Sequence, residues 1–352
     1  MGKNILSYKV DFFARFMYTD NNNGGVFMKY IDMHCDTLAP FAIDKTFSLY
    51  ENKMQVDFQK MKKGDRLAQF FAVFFPPRSQ FARQGIPETM TDYEFYKALV
   101  DGFYHEIARH SDIIAPAKNA REIEANMARG KMSGILTIED GRMIEGDFDM
   151  IRKVYDDGVR AIALTWNFEN CFGYPNSKEA DIMNKGLKPF GIEAIKLMNE
   201  LGILIDVSHL SDGGFYDVAK YSEKPFVATH SNARTKSPHQ RNLTDDMIKV
   251  LGEKGGVTGL NFAPSFINPN MEPEFTPIEG IVAHTKHLAN IGGIDCVGLG
   301  TDFDGIFGEQ EVHNSAELPK LWDALAKAGF HESEIEKISH KNVLRVIKES
   351  MK

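Results

Sequence analysis

Ile31-Asp32-Met33-His34-Cys35-Asp36 starts as a short apolar run and ends in an imidazole and a carboxylate two positions apart. In a strand, residues i and i+2 share a face, so His34 and Asp36 point one way and Cys35 the other. Three further stretches have the same build: Gly134-Ile135-Leu136-Thr137-Ile138-Glu139, Ile205-Asp206-Val207-Ser208-His209 and Pro225-Phe226-Val227-Ala228-Thr229-His230. One histidine or glutamate after an apolar run is usually a hydrogen-bonded loop residue. Five such residues, His34, Asp36, Glu139, His209 and His230, in the same strand-end context form a ligand set for zinc or a similar divalent ion.

Working outward, eight runs from Tyr30 onward read as strands: Tyr30–Asp36, Ala68–Phe75, Ile135–Glu139, Ala161–Trp166, Ile203–Ser208, Phe226–Thr229, Gly256–Asn261 and Val297–Gly300. They are short and apolar without strict alternation, as expected of strands buried on both faces. Helical patterns separate most of them. Thr91 to Glu94 reads as a capping box before Tyr96, Leu99, Val100, Phe103 and Ile107 at helical spacing. Asp181 to Leu201 reads as one long helix ended by Gly202, and Ile281–Ile291 and Glu332–Lys348 read as two more. Eight strands alternating with helices predict a closed (β/α)8 TIM barrel of the metal-dependent hydrolase type. A doubly wound open sheet competes, but no Gly-x-Gly-x-x-Gly follows the first strand. In a barrel the site lies at the carboxyl ends of the strands. His34, Asp36, Glu139, His209, His230 and Asp302 all project onto that rim.

Composition bounds the rest. The 352 residues carry a net charge of -8, with no basic stripe, which argues against nucleic acid. Lys60, Lys62 and Lys63 read as a solvated helix face. Three cysteines, Cys35, Cys171 and Cys296, suit a reducing compartment, and Cys35 reads as a small buried residue. No apolar run reaches the length of a membrane span, and a cytoplasmic location without membrane association is expected. Asn21-Asn22-Asn23-Gly24-Gly25 reads as a hinge, which makes residues 1–27 an N-terminal extension and 28–352 a single catalytic barrel. Phe12, Phe13, Phe16 and Met17 suit a short amphipathic helix in that extension. His284 and His287 share a helix face on the outside of the barrel, where packing or an oligomer contact is expected.

Five ligands are too many for one open zinc site, whereas two ions about 3.5–4 Å apart share them well. Glu139 is expected to bridge, with His34 and Asp36 on one ion and His209 and His230 on the other. A hydroxide shared by the two ions is then the nucleophile, and Asp302 is free to move its proton. No Gly-x-Ser-x-Gly elbow or Walker-type loop is present.

At these residues the chain resembles the membrane (renal) dipeptidase family of zinc metallopeptidases, in the amidohydrolase-like superfamily. The likeness runs from about Tyr30 to the C-terminus. It rests on Asp32-Met33-His34-Cys35-Asp36, Gln55-Val56-Asp57, Gly64 with Ala68-Gln69-Phe70, Glu139-Asp140-Gly141, Leu164-Thr165-Trp166-Asn167, Asp206-Val207-Ser208-His209, Thr229-His230-Ser231-Asn232-Ala233, Gln240-Arg241-Asn242, Gly300-Thr301-Asp302-Phe303-Asp304-Gly305 and Asn342-Val343-Leu344-Arg345. The resemblance implies the same bridging Glu139 and the same two-zinc set. It implies that Asp302 handles protons and that Arg241 binds the free carboxylate of a small dipeptide, with tolerance for a D residue on the carboxyl side. Homodimeric assembly is also expected. The animal enzymes carry a substrate-contacting histidine where this chain has Trp166, and Leu-Thr-Trp-Asn is similar to the bacterial cytoplasmic branch. Trp166 and Asn167 are therefore the substrate-contact candidates on that loop, and Asn167 and Asn170 are each equally a loop cap or a contact. Asp304 is expected to order the loop after the eighth strand. Other amidohydrolase reactions, on lactones, N-acyl amino acids or by deamination, are the rival chemistry. A metal-bound scaffold without catalysis is the rival class.

Overall fold

The computed structural model describes residues 28–352, so the expected extension and its Phe12–Met17 helix lie outside the described residues. Eight parallel strands close into a barrel: β1 Tyr30–Asp32, β2 Arg66–Phe74, β3 Met132–Glu139, β4 Val159–Ala163, β5 Leu204–Asp206, β6 Val227–Ala228, β7 Val257–Leu260 and β8 Val297–Leu299. β1 pairs with β8 through Asp32 and Leu299, and β2 pairs with β3 from Ala68–Ser133 to Phe74–Glu139, which closes the ring. A short outer strand, Ile114–Pro116, pairs with the start of β3.

Strand alternation sorts the core into two layers. Inward residues such as Ile31, Ala68, Phe70, Ile135, Ala161, Leu204, Val227 and Val257 form one cluster, and the helices Ala120–Ala128 and Asn342–Ser350 add to it. Outward residues such as Phe71, Val73, Leu136, Ile138, Ile162 and Ile205 pack under the surrounding helices. On β3, Ile135 faces inward, so Glu139 four residues on reaches the barrel mouth on the same inner face.

The capping box forms at Thr91 and Glu94, and its helix spans Asp92–Arg109. The expected helix from Asp181 to Leu201 is two helices, Ala180–Met183 and Pro189–Leu201. Pro189 cannot continue a helix from Lys188 but is well suited to the first turn of a new one. Gly202 ends the second helix at φ 86°, as expected. Glu332–Lys348 is also not uniform: a wider π turn over Lys337–Lys341 separates Glu332–Glu336 from Asn342–Ser350. There Asn342 donates to the carbonyls of Ile294 and Val297, both at 2.8 Å.

The strands end sooner than their apolar runs. β1 stops at Asp32, β4 at Ala163 and β5 at Asp206, so His34, Asp36, Trp166 and His209 sit on the loops beyond. His209 and Asp302 have φ of 68° and 62°, left-handed conformations that break the ladder. Among the described residues no helix is long and apolar enough to cross a membrane.

Where β6, β7 and β8 meet, a Cβ on Gly300 would fall 1.7 Å from the Thr229 carbonyl oxygen, and one on Gly259 1.9 Å from the same atom. Gly300→Ala must push Thr229 aside. It is expected to cost about 1–3 kcal/mol and lower Tm by about 2–10 °C. An unchanged melting curve would show that this close approach carries no weight.

Candidate metal centre

Each donor comes from a strand end. Glu139 leaves β3 with its two carboxylate oxygens facing different partners. Oε2 is 3.3 Å from His34 Nε2. Oε1 is 2.8 Å from His209 Nε2 and 3.4 Å from His230 Nε2. His34 Nε2 is also 3.6 Å from Asp36 Oδ1 and 3.7 Å from Asp302 Oδ1. All six side chains are buried. The structure thus brings the expected donors together, with His34, Glu139 and His230 in one group, His34, Asp36 and Asp302 in another, and His209 beside Glu139.

The imidazole tautomers are set from behind. His209 Nδ1 lies 2.9 Å from the side-chain oxygen of Asn167, which accepts its proton. His230 Nδ1 lies 2.8 Å from the Thr229 hydroxyl. That hydroxyl donates to Asp206 at 2.5 Å, so it must accept from His230. Both rings therefore carry their proton on Nδ1 and turn an Nε2 lone pair inward, 3.0 Å from each other. Two lone pairs and a carboxylate oxygen at these distances repel unless a cation sits among them. On the other side, His34 Nε2 and Asp36 Oδ1 are buried with no hydrogen-bond partner among the described residues. Orphaned buried donors and acceptors are costly, and imidazole with carboxylate is the donor chemistry of zinc. The residues fit a metal.

Protonation without metal tells the same story. Burial and the neighbouring cationic groups hold His230 well below the usual imidazole range, and burial with Arg241 pushes His209 down to about 4. Burial opposes charge on Glu139, yet His34 and the hydrogen bonds of His209 and His230 outweigh it and push that carboxyl well below its usual range. For Asp302, burial first, and then Asp36 and Glu139, push the carboxyl up to about 7. Burial opposes charge on His34, yet Glu139 and Asp36 outweigh it and hold that imidazole well above its usual range, so the centre without an ion already draws one positive charge to itself.

Several supporting residues escaped the sequence reading. Asp32 accepts from the Thr301 backbone at 2.9 Å and hydroxyl at 2.8 Å. Asp206 accepts from the Thr229 backbone at 2.9 Å, as well as from its hydroxyl. The same aspartate-to-threonine clasp thus joins β1 to the end of β8 and β5 to the end of β6. Its signal was legible: an aspartate two or three residues before His34 and His209, and a threonine directly before His230 and Asp302. Asn261, just past β7, donates to Asp302 Oδ2 at 2.8 Å and to the His230 carbonyl at 3.2 Å. Asp302 Oδ1 is left facing His34.

Arg241 is buried, donates to Ser231 Oγ at 3.2 Å and the His230 carbonyl at 3.1 Å, and keeps an Nε without a partner. Its guanidinium forms no ion pair among the described residues and lines a cavity of about 490 Å³ together with His209 and Asn167. An adjoining lobe of about 870 Å³ reaches Asp36, Glu139, Asp302 and the apolar wall of Phe74, Phe95 and Trp166. Trp166 is a half-buried wall, 5.0 Å from the Phe74 ring and 6.1 Å from the His209 ring. Asn167 lines both lobes but spends its oxygen on His209, a positioning task. Asn170 caps its loop, donating to Asp140 and the Leu164 carbonyl.

The remaining expectations for side chains near the rim also find their places. Asp304 accepts from Thr37 and from the backbone of Gln55, ordering the loop after β8. Cys35 is buried, turned to the Phe70 carbonyl. His284 uses both ring nitrogens on backbone groups of Ala233 and Ile267, and His287 pairs with Asp245 at 2.7 Å, so neither is directed at a shared ion.

A closed (β/α)8 barrel with imidazoles and carboxylates gathered at its carboxyl rim defines a hydrolase of the amidohydrolase-like type. The sequence model of the membrane dipeptidase family (peptidase family M19) matches residues 26–352, and the chain belongs to that family of metal-dependent dipeptidases. A curated dipeptidase of Schizosaccharomyces pombe, described as uncharacterized, is 30% identical over 302 residues, covering 84% of this chain and 73% of its own. An uncharacterized protein of Klebsiella pneumoniae, from the region 5' of pqqA, is 36% identical over 237 residues, 65% of this chain and 86% of its own. The crystal structure of a metallopeptidase from Rhodobacter sphaeroides, bound to a phosphinate mimic of the dipeptide L-Ala-D-Ala, has a TM-score of 0.82 at 26% identity. It covers 92% of this chain and 99% of that one. A second solved dipeptidase of the family also gives 0.82, at 28% identity with the same coverage.

Thr229→Val keeps the shape of the side chain and removes the hydroxyl that fixes His230. The loss of such an outer hydrogen bond is expected to weaken retention of a divalent ion by about 10–100-fold with the fold intact. Competition with a zinc chelator, alongside circular dichroism, measures both. Unaltered retention would remove Thr229 from the support of the centre.

Proposed function

We propose that the protein is a dipeptidase with two zinc ions per chain, cleaving the single peptide bond of small dipeptides. The observation that carries the reading is the split of Glu139: one carboxylate oxygen faces His34, the other faces His209 and His230. His34, Asp36 and Glu139 would hold one ion, and Glu139, His209 and His230 the other. Bound there, the ions would acidify a shared water to a hydroxide near neutral pH and polarise the scissile carbonyl. Asp302, tethered by Asn261 through Oδ2, keeps Oδ1 free to take a proton and return it to the leaving amine. Arg241 supplies unused N–H donors on the same rim for the substrate's terminal carboxylate. A neutral cyclic lactone would leave that buried guanidinium unanswered. The L-Ala-D-Ala mimic bound by the Rhodobacter sphaeroides relative supports tolerance for a D residue on the carboxyl side.

Active protein should contain two divalent ions per chain by elemental analysis, and Glu139→Gln should lose ions and most hydrolysis together while staying folded. Saturation at one ion, or a variant with full metal content and turnover, would sink the bridged pair.

Arg241→Ala should lower kcat/KM for free dipeptides by roughly 10–150-fold, the worth of about 1.5–3 kcal/mol for a charge-assisted hydrogen bond. Dipeptides amidated at the C-terminus should be poor substrates of the wild type and nearly indifferent to the change. Equal losses on free and amidated substrates would make Arg241 a structural residue.

A further inference from the structure

The cavity beside Arg241 holds more positive charge than one carboxylate requires. Lys178 lines it as well, together with the uncharged side chains of Asn176, Ser177 and Gln240, and no aspartate or glutamate among the described residues lines it. Neither Lys178 nor Arg241 has an ion-pair partner among the described residues. His239 adds no charge of its own, because burial, followed by Arg241 and Lys178, pushes it down to about 4. Its Nδ1 accepts from the Arg241 backbone at 3.2 Å, and its ring leans on Phe266 at 4.4 Å between centroids. This arrangement stiffens the segment that presents Arg241. Arg234 holds the same segment from below, with a two-bond pair to Asp212 at 2.6 and 2.8 Å and a bond to the Gln240 carbonyl. The adjoining lobe differs in character: Phe74, Ile86, Phe95, Trp166 and Ile306 make much of its wall.

We infer that the carboxyl-side residue of the preferred substrate is acidic, with Arg241 taking its α-carboxylate and Lys178 its side-chain carboxylate. The inference rests on the dipeptidase reading and names the substrate class within it. A dipeptide anchored by Arg241 must place its carboxyl-side residue in the lobe that Lys178 lines, and its amino-side residue across the centre toward the apolar lobe. Lys178 and Arg241 face one small cavity whose lining offers them no carboxylate, and a ligand with two carboxylates answers both. A neutral carboxyl-side residue answers only one of them.

The test compares substrates that differ only in charge, Ala-Asp with Ala-Asn and Ala-Glu with Ala-Gln, in both L and D carboxyl-side series, on zinc-loaded protein. In whichever series is cleaved, the wild type should favour the acid over its amide by about tenfold, carried by KM, since Lys178 is exposed and such pairs are partly screened. Lys178→Met should bring the acid-to-amide ratio close to one, Lys178→Arg should keep it, and Lys178→Glu should invert it. Added salt should compress the wild-type ratio. A wild-type ratio near one, or a ratio that survives in Lys178→Met, overturns the inference while leaving the dipeptidase reading intact. Failure to cleave any dipeptide, neutral or acidic, overturns both.

Discussion

Glu139 Oε1, His209 Nε2 and His230 Nε2 meet at separations of 2.8, 3.0 and 3.4 Å, each directing electron density at the others. Nothing in the side chains alone favours that meeting, and burial makes it dearer by removing water. The convergence must be imposed by the scaffold. Glu139 ends the long strand β3, which is paired on both sides. His209 is forced into a left-handed backbone conformation. His230 follows a strand of two residues whose carbonyl at Thr229 leaves no room for a side chain on Gly259 or Gly300. A cation at this point turns mutual repulsion into shared attraction. The strain of the rim is then tolerable because the ion compensates it.

The aspartate-to-threonine clasps explain how such short strands hold position. β1, β5 and β6 contribute only three, three and two ladder residues. Asp32 and Asp206 extend the connection sideways with buried, charge-assisted bonds to Thr301 and Thr229. Each clasp ends directly beside a donor, since His230 follows Thr229 and Asp302 follows Thr301. Barrel closure and ligand placement are therefore one hydrogen-bond network. A change in either aspartate reaches the centre without touching it.

Much of this was legible because barrels repeat one rule. All eight strand runs appear in the predicted order, and the donors share a rim because strand ends do. The boundaries were less legible. Apolar residues continue past the named strands at Leu164, Val207 and Phe262, buried in the rim and each still bonded by its backbone N–H to a neighbouring segment, so hydropathy alone could not show where the regular ladder stops. The helix from Asp181 was misjudged because apolar spacing outweighed Gly186 and Pro189, which mark a break. Asn167 was read as a substrate contact because it follows Trp166, where the animal enzymes carry a substrate-contacting histidine. That its oxygen goes to His209 depends on a contact forty-two residues away, which local pattern does not contain. Asn261 was hidden for the same reason, its partner Asp302 being forty-one residues distant.

The rim is electrically asymmetric, and this bears on how a small zwitterion would lie across it. Asp36, Glu139 and Asp302 collect on the side of His34, within 3.7 Å of its Nε2. Arg241 and Lys178 stand on the side of His209. Arg241 remains charged despite burial, which pushes it only to about 10, because Asp302 and Glu139 lie close enough to favour the cation. A dipeptide carries its own dipole, from amine to carboxylate, and only one orientation aligns it with this field. The protein can thus set the direction of binding before any side chain is read. Side-chain preference is left to the walls: aromatic on one side, cationic and polar on the other. On the proposed reading Arg241 pairs with a free terminal carboxylate, a charge that an internal peptide bond cannot offer. Restriction to dipeptides would then rest on that one buried charge.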